Sequence, residues 1–112
     1  MKYSKETYER ITLKAVTHFL KDGGVSKDDV KSISIRPDNT YARFKVGVTY
    51  DEFFGEAVIK IRAQVMPYDD ESERLFLDVI RTEGDQAMHL FYIDLERNDM
   101  IDYLTGEVVC RI

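Results

Sequence analysis

The strongest periodic signal lies in the first twenty residues. At about 100° per residue, Tyr8, Ile11, Leu13, Ala15, Val16, Phe19 and Leu20 fall within one arc about 200° wide. Glu6, Thr7, Arg10, Lys14 and Lys21 occupy the other side. An arc this wide predicts a well-embedded helix that covers a sheet. Ser4 is placed to cap it, and Glu6 lies near the positive end of its dipole. Lys21 sits in the last turn, and Gly23-Gly24 supplies a stop that tolerates left-handed backbone. Ser26-Lys27-Asp28-Asp29 then reads as one short turn capped by Ser26.

Beyond this turn the period falls to about two. Ile33 and Ile35 alternate with Ser32, Ser34 and Arg36, and Pro37-Asp38-Asn39 turns the chain. Alternation resumes over 41–50 (Ala42, Phe44, Val46, Val48, Tyr50) and over 56–66 (Ala57, Ile59, Ile61, Ala63, Val65). Two further runs, 73–82 and 87–96, are linked by the hairpin signal Glu83-Gly84-Asp85. Residues 98–104 fit either a short helix capped by Asn98 or a short strand, and 107–112 reads as a final strand. The expected architecture is α+β: one domain, 1–112, with an N-terminal helix packed on an antiparallel meander of five to six strands.

Pairing these runs so that apolar residues share a face gives a trial register. It sets Phe44 against Ala63, Val46 against Ile61 and Val48 against Ile59. Ala63, Ile61 and Ile59 then oppose Leu75, Leu77 and Val79, and these three oppose Ile93, Phe91 and His89. The reverse face divides in two. Its first strands carry a basic patch, Arg43, Lys45, Lys60 and Arg62, with Tyr41 and Gln64 nearby. Its later strands carry an apolar patch of Phe76, Ile80, Met88, Leu90 and Tyr92, continuous with Val58. An apolar patch of this kind seldom stays bare on a soluble monomer. Either the tail folds over it through Met100, Ile101, Tyr103, Leu104 or Val109, or it is a homodimer or partner surface.

Composition narrows the function classes. With 44% hydrophobic and 33% charged residues, the chain is too apolar to be disordered. The net charge of −5 argues against direct nucleic-acid binding through a generally basic surface. The charge is unevenly spread. Residues 1–66 hold twelve basic and nine acidic side chains, a balance of +3, whereas 67–112 hold four and twelve, a balance of −8. In the meander, Asp69, Asp70, Glu71, Glu73, Glu96, Asp99 and Asp102 are expected to gather at one end of the sheet.

Candidate chemistry is sparse. His18 falls at the border of the apolar arc, His89 alternates with Phe91 and Ile93, and the lone Cys110 sits in an apolar strand. Two histidines about seventy residues apart and one cysteine do not make a zinc set, and no phosphate-binding glycine motif is present. No cofactor or metal is expected. No apolar export segment follows the first residues, and no run approaches the roughly 18 apolar residues of a membrane span, so a cytoplasmic address is expected. These features point to a non-catalytic protein-binding module. It would be an acidic inhibitor or immunity-type protein, as bacteria, phages and mobile elements make, directed at a basic surface of its partner, such as a nucleic-acid-binding groove. The alternatives are a ligand or enzyme cavity between helix and sheet, lined by Phe19, Phe44, Leu77, His89 and Phe91, and nucleic-acid binding through the basic sheet face.

Overall fold

The computed structural model describes residues 3–37, 43–53, 55–80 and 88–112. Helix α1 (Lys5–Asp22) is followed by a 3-10 turn (Lys27–Asp29) and seven strands. These are β1 (Val30–Pro37), β2 (Arg43–Glu52), β3 (Gly55–Pro67), β4 (Glu73–Ile80), β5 (Met88–Asp94), β6 (Asp99–Asp102) and β7 (Val108–Arg111). All seven form one antiparallel sheet in sequential order. No helix among the described residues is long and apolar enough to cross a membrane.

Helix α1 starts where Ser4, in extended backbone, accepts a hydrogen bond from the Thr7 amide. Its end is a Schellman arrangement. The Val25 amide donates to Leu20 O at 2.8 Å and the Gly24 amide to Lys21 O at 3.0 Å. Gly24 has φ +87°, which a side chain would disfavour. Val25 then packs against the core. In the next turn Ser26 makes no backbone cap; its hydroxyl is bonded to the Asp29 carboxylate instead.

Tyr8, Thr12, Ala15, Val16 and Leu20 form the buried stripe, about 140° wide and narrower than the expected arc. Thr12 lies inside it although it is polar, because its hydroxyl donates to Tyr8 O at 2.7 Å. The stripe packs on Phe44, Val46, Val48, Ile61, Ala63, Leu75, Leu77 and Ile93. The Tyr8 hydroxyl donates to Glu73 Oε1 and accepts from the Tyr3 amide, tying the start of α1 to the start of β4.

The β2–β3 register agrees with the expected pairs. The β3–β4 register differs by two residues: Ala63 opposes Leu77, Ile61 opposes Val79 and Val65 opposes Leu75. Such a slip keeps every side chain on its face, so alternation alone does not detect it. Leu75 and Leu77 do oppose Ile93 and Phe91, but a bulge then adds a residue to β5, and Asp78 and Val79 oppose His89 and Met88. Val79 therefore does not face His89. Strict alternation along β5, which grouped Met88 with Leu90 and Tyr92, does not run through the bulge.

Seven strands replace the expected five to six. Strand β6 has only four residues, Asp99-Met100-Ile101-Asp102, too few for a period to show. Asn98 caps no helix; with φ +57° it makes the left-handed step from the turn at 95–98 into β6. The tail extends the sheet as β6 and β7, and of the residues expected to cover the outer face Tyr103 packs on Phe76 and Ile101 continues its row beside Tyr92. Met100 is buried on the helix side and Leu104 is exposed. Of the expected turn at Pro37-Asp38-Asn39, only Pro37 belongs to the described residues. The hairpin at Glu83-Gly84-Asp85 and the side chain of Tyr41 lie outside them.

The left-handed step gives a stability test. Asn98→Ala lowers unfolding free energy by about 1 kcal/mol, because a Cβ without a compensating amide is disfavoured there, whereas Asn98→Gly leaves it unchanged or higher. Urea unfolding of the two variants checks the difference; equal midpoints would contradict it.

Candidate functional site

Three surfaces carry the side chains with chemistry. The first is the acidic end. The loop 68–72 between β3 and β4 and the turn 95–98 between β5 and β6 lie side by side, where the Leu95 amide approaches Glu73 O at 3.4 Å. Asp69 Oδ1 accepts from the Glu71 and Ser72 amides, each at 2.8 Å. Asp94 Oδ1 repeats the device, accepting from the Glu96 and Arg97 amides. Asp69 is thus a turn-former, and Glu73 is engaged by Tyr8. Asp70, Glu71 and Glu96 are exposed at the tips. Asp99 starts β6 at this end opposite Arg111. Asp102 does not join the group. It lies at the other end of β6 opposite Phe91, about 10 Å along the strand, and holds the Leu104 and Thr105 amides. Arg74, Arg97 and Arg111 stand at this same acidic end, so it is less negative than the acid count alone suggests.

The second surface is the basic half of the outer sheet face. Register places Arg36 opposite Lys45, Lys45 opposite Arg62, and Arg62 opposite Asp78. Three cations therefore sit side by side on adjacent strands, an arrangement that costs stability by itself. The carboxylate at the end of the row relieves it: Arg62 Nη2 lies 3.2 Å from Asp78 Oδ2. Asp78 is 1% exposed although it is on the outer face, while the Arg62 side chain keeps 32% exposure. Lys60 lies two residues from this row and Arg43 begins the next one, opposite Gln64. Arg36, Arg43 and Lys60 make no ion pair among the described residues. The Nε atoms of Arg43 and Arg62 are buried without an acceptor there.

The third surface continues the Arg43 row into aromatic residues. Arg43, Gln64, Phe76, Tyr92 and Ile101 occupy consecutive strands in register. The Phe76 ring packs on Tyr92 at 5.6 Å and on Tyr103 at 6.2 Å between centroids. Arg74 lies over the Tyr68 ring at 3.5 Å and the Tyr92 ring at 4.6 Å. Of the expected apolar patch, Phe76, Leu90 and Tyr92 are half-buried and Val58 is 61% exposed at its edge. Ile80 and Met88 have strand positions in β4 and β5, and their side chains lie outside the described residues. Tyr103 is the one tail residue that reaches this patch as a ring contact among the described residues.

Sequence periodicity did not place Tyr68 or Arg74 in the cluster, whereas Tyr103 is among the tail residues expected to reach the patch. Tyr68 and Tyr103 are loop residues without a strand phase, and Arg74 shares the outer phase of β4 with Phe76. Asp78 and Arg36 carried a readable signal: each falls in the outer phase of its strand, beside the basic patch. The expected cavity residues belong mainly to the packed core. Phe44 and Leu77 are buried, and Phe19 meets Phe91 edge to face at 5.9 Å. The His89 side chain lies outside the described residues. A cleft of about 400 Å3 lies beside Phe19 and Phe91, lined also by His18, Asp22, Met100 and Cys110. Burial first, and then the negative charge of Asp22, push the Cys110 thiol above its ordinary pKa. That thiol is therefore less ionised at neutral pH than a free cysteine.

The ion pair at the end of the basic row is testable. Asp78→Ala leaves Arg62 without its carboxylate beside two more cations and lowers stability by about 2 kcal/mol, below the full cost for a sealed pair because Arg62 is partly solvated. Adding Arg62→Met restores part of the loss. Guanidinium unfolding of the single and double variants measures both, and an unrestored double variant would contradict the coupling. The chain matches no protein-family model, no curated protein and no solved structure.

Proposed function

We propose that the protein is a non-catalytic binding module of the inhibitor or immunity type, whose acidic end docks on a basic surface of a partner protein. What supports the reading is the rigidity of that end. Asp70, Glu71 and Glu96 are exposed on two adjacent turns, and the turns are held by the Asp69 and Asp94 carboxylates. Acidic tips held in place favour encounter with a basic surface more than they raise final affinity. A preset loop also loses less conformational freedom on docking than a mobile one.

The test reverses the tips and spares the residues that build them. A partner is captured from the source organism with the wild-type protein, and its association rate is then measured for wild type and for Asp70→Lys/Glu71→Lys/Glu96→Lys. The variant associates at least about tenfold more slowly at low salt, and its rate depends less on salt than that of the wild type. Equal rates at low salt reject this reading.

A further inference from the structure

We infer that the outer face of the sheet is a binding site for single-stranded nucleic acid, with phosphates on the Arg36–Arg43–Lys60 side and bases on the Phe76–Tyr92–Tyr103 side. This site is separate from the acidic end and goes beyond the protein-docking reading. The argument begins with unpaired charge. Three cations on this face, Arg36, Arg43 and Lys60, have no carboxylate partner among the described residues, and Arg36 and Lys60 are exposed. Together with Lys45 and Arg62 they make five positive groups on three adjacent strands, and the register sets one carboxylate, Asp78, directly against them. An anionic ligand would relieve that crowding.

The type of anion follows from what lies beside the cations. In one register row, Arg43 is followed by Gln64, Phe76 and Tyr92. Phe76 is two strand spacings from Arg43, about 10 Å. That reach suits a chain whose backbone lies on the cations while its bases turn toward the rings. Gln64 stands between them with an amide able to donate to and accept from a base edge. Tyr68 and Tyr103, 61% and 47% exposed, supply ring surface at the margin of the cluster. An acidic protein chain would satisfy the cations but has no need of this row of rings. Rings and cations together are what unpaired bases on a sheet require. A duplex keeps its bases stacked inside and cannot use them.

The experiment is fluorescence anisotropy with the full chain and a labelled oligouridylate of about twelve nucleotides, compared with an RNA duplex of that length. The single strand binds saturably, and more tightly than the duplex. Arg36→Glu/Arg43→Gln/Lys60→Glu weakens it at least about tenfold between about 50 and about 200 mM salt, and lowers the salt slope by about two. Tyr103→Ala weakens it about fivefold or more and leaves the slope unchanged. Thermal unfolding establishes that each variant is folded. If the triple variant is not, Arg36→Gln, at an exposed and unpaired position, is used for the slope. Failure to bind, equal binding of duplex, or a slope indifferent to the charge changes overturns the inference. So does displacement by polyglutamate combined with no effect of Tyr103→Ala, which would assign the face to an acidic protein. Asp70→Lys/Glu71→Lys/Glu96→Lys retains oligonucleotide binding, so this site and the acidic end can fail independently.

Discussion

Among the described residues, a single helix covers the middle strands of a seven-stranded sheet. A sheet has two faces, and its apolar side chains gain stability only where something takes them from water. Helix α1 does this for one face, and the core follows from that contact: Tyr8, Ala15, Val16 and Leu20 lie against the inward side chains of β2, β3, β4 and β5. Thr12 enters the same stripe because its hydroxyl is satisfied within the helix. With the helix committed, the opposite face has no helix to cover it among the described residues. Its composition therefore divides between cations that water can solvate and rings that shield one another. Asp78 is the exception, a carboxylate removed from water on the outward side and compensated by Arg62.

The connections obey a second constraint, the pairing of backbone amides at the turns. Asp69, Asp94 and Asp102 each accept two backbone N–H groups with one carboxylate oxygen. These acids fix loop shape, and Glu73 holds the helix start through Tyr8. A simple count of acids at the end of the sheet therefore overstates the charge offered to a partner. The acids exposed at the tips, Asp70, Glu71 and Glu96, are fewer than that count. The same division of labour explains why charge reversal at the tips is a cleaner probe than reversal at Asp69.

Alternation of apolar residues is enough to make the faces of β2, β3 and β4 legible, and Phe44, Val46, Ile61, Ala63, Leu75 and Leu77 are indeed core residues. It could not set the offset between β3 and β4, since a slip of two residues returns every side chain to its face. It also could not foresee the bulge after Leu77, which adds a residue to β5 without any mark in the local pattern. Strand β6 stayed undecided between helix and strand because four residues, two of them aspartates, carry no readable period. For the candidate surfaces, Arg43, Lys45, Lys60 and Arg62 came together because they lie on long regular strands. Asp102 did not join the acidic end because its position depends on the length of β6. Tyr68 and Tyr103 joined the aromatic cluster from loops, where only tertiary structure decides direction.

The negative total and the cationic face coexist because most of these charges are separated by more than the range of their fields. At physiological ionic strength that range is about 8 Å. Lys60 stands seven residues before the end of β3, about 23 Å from the acidic loops along the strand. Arg43, opposite Gln64, is about 10 Å from them, close to one screening length. The acids therefore weaken the near edge of the basic half and leave the Lys60 side almost untouched. A polyanion meeting this surface is repelled by the acidic loops and attracted to the cations set along β1, β2 and β3. The whole-chain charge of −5 describes neither region. What governs recognition is the potential over a patch a few strands wide, and on the outer face that patch is positive.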